Sequence, residues 1–283
     1  MAQLNAQKAF EILDRQIYVD SSAAPALAVN SVYGGYGETT ILQNVSLDIP
    51  EGKITILVGP NGCGKSTLLK TIARVLQPES GEVLLGDRNV HKMPTKSVAL
   101  EMALLAQGPI APEGLTVREL VAQGRFPHQS FLRQWTTEDA RAVDDAMAAT
   151  DIIQFADRPV SSLSGGQRQR CWIAMSLAQD TDIILLDEPT TFLDLKVQVD
   201  VMNLLTKTAR DAHKTMVVVL HELNIAATYA DKLVMMRDGE IVANGDVQEV
   251  FTAENLRSVF DLDANVIVDQ QSGRPVCVPV IAR

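Results

Sequence analysis

Apolar positions along this chain fall into short runs whose period changes from segment to segment. Residues 27–33 and 45–49 carry strand-like stretches on either side of Gly34, Gly35 and Gly37, which predicts an antiparallel pair joined by a glycine-rich turn. Residues 53–58 form an apolar run of strand length, followed by glycines and a helix-like stretch over 65–75. Residues 82–85 predict a further strand after Ser80-Gly81. Thr116-Val117-Arg118-Glu119 fits a capping box, in which hydroxyl and carboxylate satisfy free donors at a helix start, and Ala140, Val143 and Met147 recur at helical spacing. Strand character returns at 182–186, 215–220 and 232–237, the first two apolar enough to lie between helices in a parallel sheet.

The pattern divides the chain. Residues 1–24 have no sustained period and are expected to form a partly mobile extension. An α/β core is expected over 25–107 and 180–251, opened by an antiparallel sub-sheet and interrupted by a helical subdomain over 108–179. The tail, 252–283, predicts a helix over 254–260 and two extended runs, 265–268 and 275–280, around Ser272-Gly273. No internal repeat or low-complexity tract is visible.

Composition narrows the classes. With 25 Lys+Arg against 35 Asp+Glu, the net charge is −10, which opposes phosphate backbones and makes nucleic acid an unexpected partner. No apolar run approaches the ~20 residues needed to span a bilayer; the best, 183–186 and 216–220, are strand-sized. Met1 to Phe10 lack the basic start and apolar run of a secretory signal, so the cytoplasm is expected. Cys63, Cys171 and Cys277 are far apart and without metal-ligand spacing, which predicts reduced thiols.

Gly59-Pro60-Asn61-Gly62-Cys63-Gly64-Lys65-Ser66, continued by Thr67, matches a phosphate-binding loop between a strand and a helix. Its glycines let successive backbone N–H groups face phosphates, Lys65 supplies charge, and the Ser66 hydroxyl can ligate magnesium. A helix cap after a glycine turn is the plainer alternative. Asp187-Glu188 ends an apolar strand where burial would normally exclude carboxylates. Asp187 suits a magnesium role, on the ion itself or through a ligand of the ion, and Glu188 can polarise an attacking water. Leu163-Ser164-Gly165-Gly166-Gln167-Arg168 is a second glycine turn opening a helix, hence a second anion site with no evident use beside the first.

That run resembles the signature of ABC transporter ATP-binding subunits, and the likeness extends over about residues 32–250. The resemblance implies a P-loop NTPase (RecA-like) core with an N-terminal antiparallel β sub-sheet and an inserted helical subdomain. It implies adenine stacking by Tyr36, a magnesium link to the membrane partner at Gln107, a dimer-joining loop at Asp194, and a γ-phosphate switch at His221. Taken alone, Tyr36 fits a loop aromatic, Gln107 the start of a turn, and Asp194 a helix cap that is compatible with the family role. By the same resemblance Ser164, Gly165, Gly166 and Gln167 contact ATP held by a second copy, in a head-to-tail homodimer with ATP and Mg2+. Wording such as Gly124-Arg125-Phe126-Pro127-His128 and Gly273-Arg274-Pro275-Val276-Cys277 is closest to importers of ferric siderophores, haem and vitamin B12. Integral permease subunits, an indirectly coupled substrate-binding protein, and a peripheral position on the cytoplasmic face of the inner membrane are then expected. The rival is a soluble ABC ATPase acting on nucleic acid or the ribosome. Such proteins usually carry a long coiled-coil insertion or a second ATPase domain, and neither pattern is present. The sequence also lacks the Asn-Lys-x-Asp element of GTPases.

Overall fold

A computed structural model describes residues 25–130 and 135–280; the expected N-terminal extension lies outside them. In chain order the regular elements are β1 (Leu27–Tyr36), β2 (Thr39–Ile49), β3 (Ile54–Val58), α1 (Lys65–Ile72), β4 (Ser80–Leu85), β5 (Arg88–Asn89), α2 (Thr95–Glu101) and β6 (Met102–Leu105). There follow α3 (Val117–Ala122), α4 (Thr137–Ala149), α5 (Gly165–Ala178), β7 (Ile183–Asp187), α6 (Leu195–Asp211), β8 (Thr215–Val219), α7 (Leu223–Tyr229), β9 (Lys232–Arg237) and β10 (Glu240–Asp246). The chain closes with α8 (Ala253–Phe260), β11 (Ala264–Val268) and β12 (Pro275–Pro279).

Among the described residues, one sheet has the order β2-β1-β4-β5 and a second the order β10-β9-β3-β8-β7-β6, with β11-β12 as a separate hairpin. In the second sheet only β10 is antiparallel to its neighbour. Every residue of β3, β7 and β8 is buried, as expected of parallel strands covered on both faces. Alternation along β3 then sorts the side chains: Ile54, Ile56 and Val58 join the core under the helices, while Leu57 packs with α1 and the first sheet.

This pairing gathers the carboxyl ends of four strands. Leu57 and Asp187 both lie opposite Val219, and Leu105 lies opposite Leu186. The loops that follow β3, β6, β7 and β8 therefore open on one edge, the place where such sheets hold ligands.

Three local expectations need correction. The glycines Gly34 and Gly35 do not turn; β1 continues to Tyr36 and pairs with Thr39, so that only Gly37 and Glu38 reverse the chain. The reason is close approach, because a Cβ on Gly35 would stand 1.8 Å from the Thr39 carbonyl oxygen. Helix α1 stops at Ile72 instead of residue 75, since Arg74 takes a left-handed φ of 61°. The helical segment starts at Val117, not at Gly108, and residues 108–116 form no helix. The capping box at its start is present: the Thr116 hydroxyl accepts from the Glu119 amide at 3.3 Å, and the Thr116 amide donates to the Glu119 carboxylate at 2.8 Å.

The segment 117–178 is pinned by one buried ion pair. Arg125 and Asp139, 2% and 1% exposed, meet at 2.9 Å, and Arg125 also donates to the Ala178 carbonyl at 2.9 Å. The C-terminal residues pack on the same core, with Phe251, Leu256, Val259, Ala264 and Cys277 buried in it. No helix among the described residues is long and apolar enough to cross a membrane.

Candidate functional site

The loop after β3 curls because Gly62 and Gly64 adopt φ of 81° and 103°, conformations closed to most side chains. It is braced from behind by the β9–β10 turn. A Cβ on Gly59 would meet the Met236 carbonyl oxygen at 2.2 Å, and the Gly239 amide donates to the Cys63 carbonyl at 3.1 Å. Lys65, only 5% exposed, donates to the carbonyls of Gly59 at 2.8 Å and Pro60 at 3.0 Å, so its charge stays inside the curl.

The loop floors an open cleft of about 830 Å³ lined by Gly59, Pro60, Asn61, Gly62, Gly64, Lys65, Ser66 and Thr67, with Gln107, Glu188 and His221 opposite. Cys63 is different: its side chain is buried away from the cleft, and burial pushes the thiol up against the pull of Lys65. Ser66 donates to the Asp187 carboxylate at 2.8 Å. Burial pushes the Asp187 carboxyl up, and that hydrogen bond opposes the push.

Glu188 sits at a left-handed φ of 53° between strand and turn, a strained position of the kind found at working sites. Its carboxylate accepts from Gln107 Nε2 at 2.6 Å and Thr191 Oγ1 at 3.0 Å, and stands 2.5 Å from His221 Nε2, so that three loops converge on it. The amide nitrogen of Gln107 is thus engaged, leaving its Oε1 as the atom able to meet a cation. Among the described residues no group of three His, Cys, Asp or Glu stands ready to hold a metal alone. Ser66, Asp187 and the Gln107 carbonyl offer few, hard oxygens, which fits a magnesium ion that keeps phosphate and water ligands. A phosphate loop facing a carboxylate held by two donors beside a histidine is built to cut a phosphoanhydride.

Residues 42–191 match the family described as ABC transporter. The chain belongs to the ABC transporter ATP-binding family. It is therefore an ABC-type ATPase. Among its relatives is the protein named Probable siderophore transport system ATP-binding protein YusV of Bacillus subtilis strain 168, 50% identical over 90% of this chain and 92% of the relative. Of solved structures, a chain from an inward-facing transporter described as of the metal-chelate type superposes with a TM-score of 0.79 at 28% identity, over 90% of this chain and 98% of that one. The dimeric structure of MJ0796, a bacterial ABC transporter cassette, gives 0.69 at 30% identity, over 78% of this chain and 98% of that one.

In this ABC ATPase the signature run stands apart from the cleft, whose lining includes none of Ser164, Gly165, Gly166 or Gln167. Ser164 caps α5, its hydroxyl accepting from the Gln167 amide at 3.3 Å, while the Gln167 carbonyl oxygen accepts from the Ser164 amide at 3.1 Å. The two glycines serve different ends. A Cβ on Gly166 would meet Val197 at 2.7 Å, whereas one on Gly165 would touch only Leu193, at 3.9 Å. Gly165 instead lines a second cavity, of about 410 Å³, that shares Gln107, Glu188, Thr191 and Phe192 with the first.

Asp194 caps α6 by accepting from the Val197 amide at 3.0 Å. Tyr36 lies outside the cleft lining, 47% exposed, with the Lys70 ammonium 6.0 Å from its ring centre. Thr191, Ile41 and Phe260 line the cleft without any motif to announce them. Glu222 is also absent from the sequence reading as a site group; it accepts from Gln198 at 3.1 Å and so ties the residue after His221 to α6.

Proposed function

We propose that this ATPase powers uptake of an iron-siderophore type of cargo through permease subunits, from a peripheral position on the cytoplasmic face of the membrane. The carrying observation is the Glu188 carboxylate, held by Gln107 and Thr191 beside His221, opposite the phosphate loop; the siderophore and metal-chelate descriptions of the relatives support the cargo class.

The residues divide the work. Lys65 and the amides of Gly62 to Thr67 bind the β- and γ-phosphates of ATP, and Tyr36 stacks on the base. Ser66, Asp187 and Gln107 would hold magnesium, which would supply charge neutralisation on the phosphates. Glu188 orients and polarises the attacking water, and His221 senses the γ-phosphate while holding Glu188. Two copies pack head to tail, with Asp194 at the joint. Ser164, Gly165 and Gly166 of each offer charge-assisted hydrogen bonds to the γ-phosphate on the other for as long as it is intact. Hydrolysis removes that bridge and the dimer opens. The segment after Gln107 carries the movement to the permease, with a substrate-binding protein acting indirectly.

Uptake of radiolabelled ferric siderophore by cells lacking this chain tests the reading. Uptake is expected to vanish and to return with the native chain but not with Glu188→Gln. Undiminished iron uptake, or purification of the chain with nucleic acid instead of a polytopic membrane protein, would count against it.

A further inference from the structure

No residue of the C-terminal hairpin lines the cleft, yet the hairpin is bonded to both ends of the helix that follows His221. Asn224, the second residue of α7, takes up both backbone groups of Cys277: its Oδ1 accepts the Cys277 N–H at 2.8 Å, and its Nδ2 donates to the Cys277 carbonyl at 3.2 Å. At the other end of α7, Arg274 donates to the carbonyl of Ala230, the C-cap, at 3.0 Å. Cys277 and Ala230 are themselves buried, so these bonds are anchored in the core.

The same C-terminal unit is fixed to the phosphate loop. Phe260, the last residue of α8, lines the cleft together with Lys65 and His221. Next to it, Asp261 receives Arg237 through two nitrogens at 3.0 and 2.9 Å, and Arg237 opens the turn whose Gly239 braces Cys63. On the opposite flank, Gln198 joins Glu222 at 3.1 Å and the Thr190 carbonyl at 3.4 Å, which ties the residue after His221 to the loop after Glu188.

The geometry points to Asn224 as a positioning residue for His221, with the β11–β12 hairpin as a splint that fixes α7 and so the histidine it begins beside. A short helix preceded by a functional side chain transmits any tilt directly to that side chain. A hairpin bonded at its second residue and at its C-cap removes this freedom. The inference rests on the reading of His221 as the γ-phosphate sensor and goes beyond it by giving the C-terminal Arg274-to-Cys277 run a task.

The test uses the full chain. Asn224→Ala is compared with the wild type and with His221→Ala by steady-state ATP hydrolysis, alongside NMR of histidine-labelled protein, whose 4 histidines are assigned by substitution. Misplacing a catalytic group by about 1 Å costs up to ~10²-fold, so Asn224→Ala should lower kcat about tenfold with KM for ATP held within about twofold. The His221 ring signals should shift while those of His91 and His213 stay. Wild-type kcat in Asn224→Ala, or unmoved His221 signals, overturns the splint while leaving His221 in place if His221→Ala is inactive. Wild-type turnover in His221→Ala would instead remove the reading of the site and the splint with it.

Discussion

His221 Nε2 stands 2.5 Å from Glu188 Oε1, although the two residues follow different strands, β8 and β7. Parallel pairing of Asp187 with Val219 brings them together, and Gln107 from the loop after β6 donates to Glu188 at 2.6 Å. A carboxylate oriented in this way by neighbours is suited to handle a water, whereas an unrestrained surface carboxylate is not.

Glu188→Gln keeps the shape but exchanges one accepting oxygen for an NH2 donor and cannot take a proton. Removing a general base costs about 10²-fold or more, so kcat should fall by that order while ATP affinity stays within a few-fold. Size-exclusion chromatography with ATP should then show a long-lived dimer. Unchanged hydrolysis would remove Glu188 from the catalytic role.

Lys65→Ala should fail earlier, at binding. The buried ammonium is held by the Gly59 and Pro60 carbonyls beside the curled loop, and among the described residues no other lysine or arginine lines the cleft. Charge-assisted bonds to phosphate are the strong ones, and their loss should weaken ATP binding about tenfold or more, read by titration with a fluorescent nucleotide. Equal affinity would contradict the loop's assignment.

How far the sequence reveals this site depends on whether the chemistry is contiguous. The loop from Gly59 to Thr67 and the pair Asp187-Glu188 are legible because each is a short run whose residue types have one strong use. Thr191, Ile41 and Phe260 are not legible, since they reach the cleft only through folding. Glycine misleads at Gly35, where it reads as a turn but is required for strand contact. Helix α6 is hidden because Val197, Val199 and Val201 alternate with polar residues as a strand would, while the buried set Val201, Met202, Leu205 and Ala209 follows helical spacing. The apolar ends of β7 and β8 are visible in the sequence; which of them lie side by side is a property of the sheet.

Asp139 offers a stability test with a defined pH window. Burial pushes its carboxyl up, but the Thr136 and Arg125 bonds outweigh that and leave it at about 2, below the usual 3.8. A depressed carboxylate contributes stability above the unfolded value and loses it as pH falls through the folded one. Unfolding followed by circular dichroism should therefore lose this contribution between about pH 4 and pH 2, and Asp139→Asn should flatten that limb. At neutral pH Asp139→Ala should destabilise by about 3–5 kcal/mol, because it strands the buried Arg125 charge. A loss below about 1 kcal/mol, the range of exposed pairs, would show that Arg125 finds water or another partner.

Ser164→Arg places a long cation at the cap of α5. ATP binding to the single chain should be spared, because none of the residues 164–167 lines the cleft, but the ATP-bound dimer should not form. Light scattering with ATP reads the difference. A monomeric, fully active variant would contradict the shared site.

The most direct measurement is a structure of the Glu188→Gln protein with ATP. The account predicts two copies enclosing two triphosphates, each γ-phosphate touching Lys65 of one chain and, within hydrogen-bond distance, the partner subunit's Ser164 and the partner subunit's Gly165. A triphosphate enclosed by a single copy, with both glycines of the signature far from any phosphorus, would contradict it.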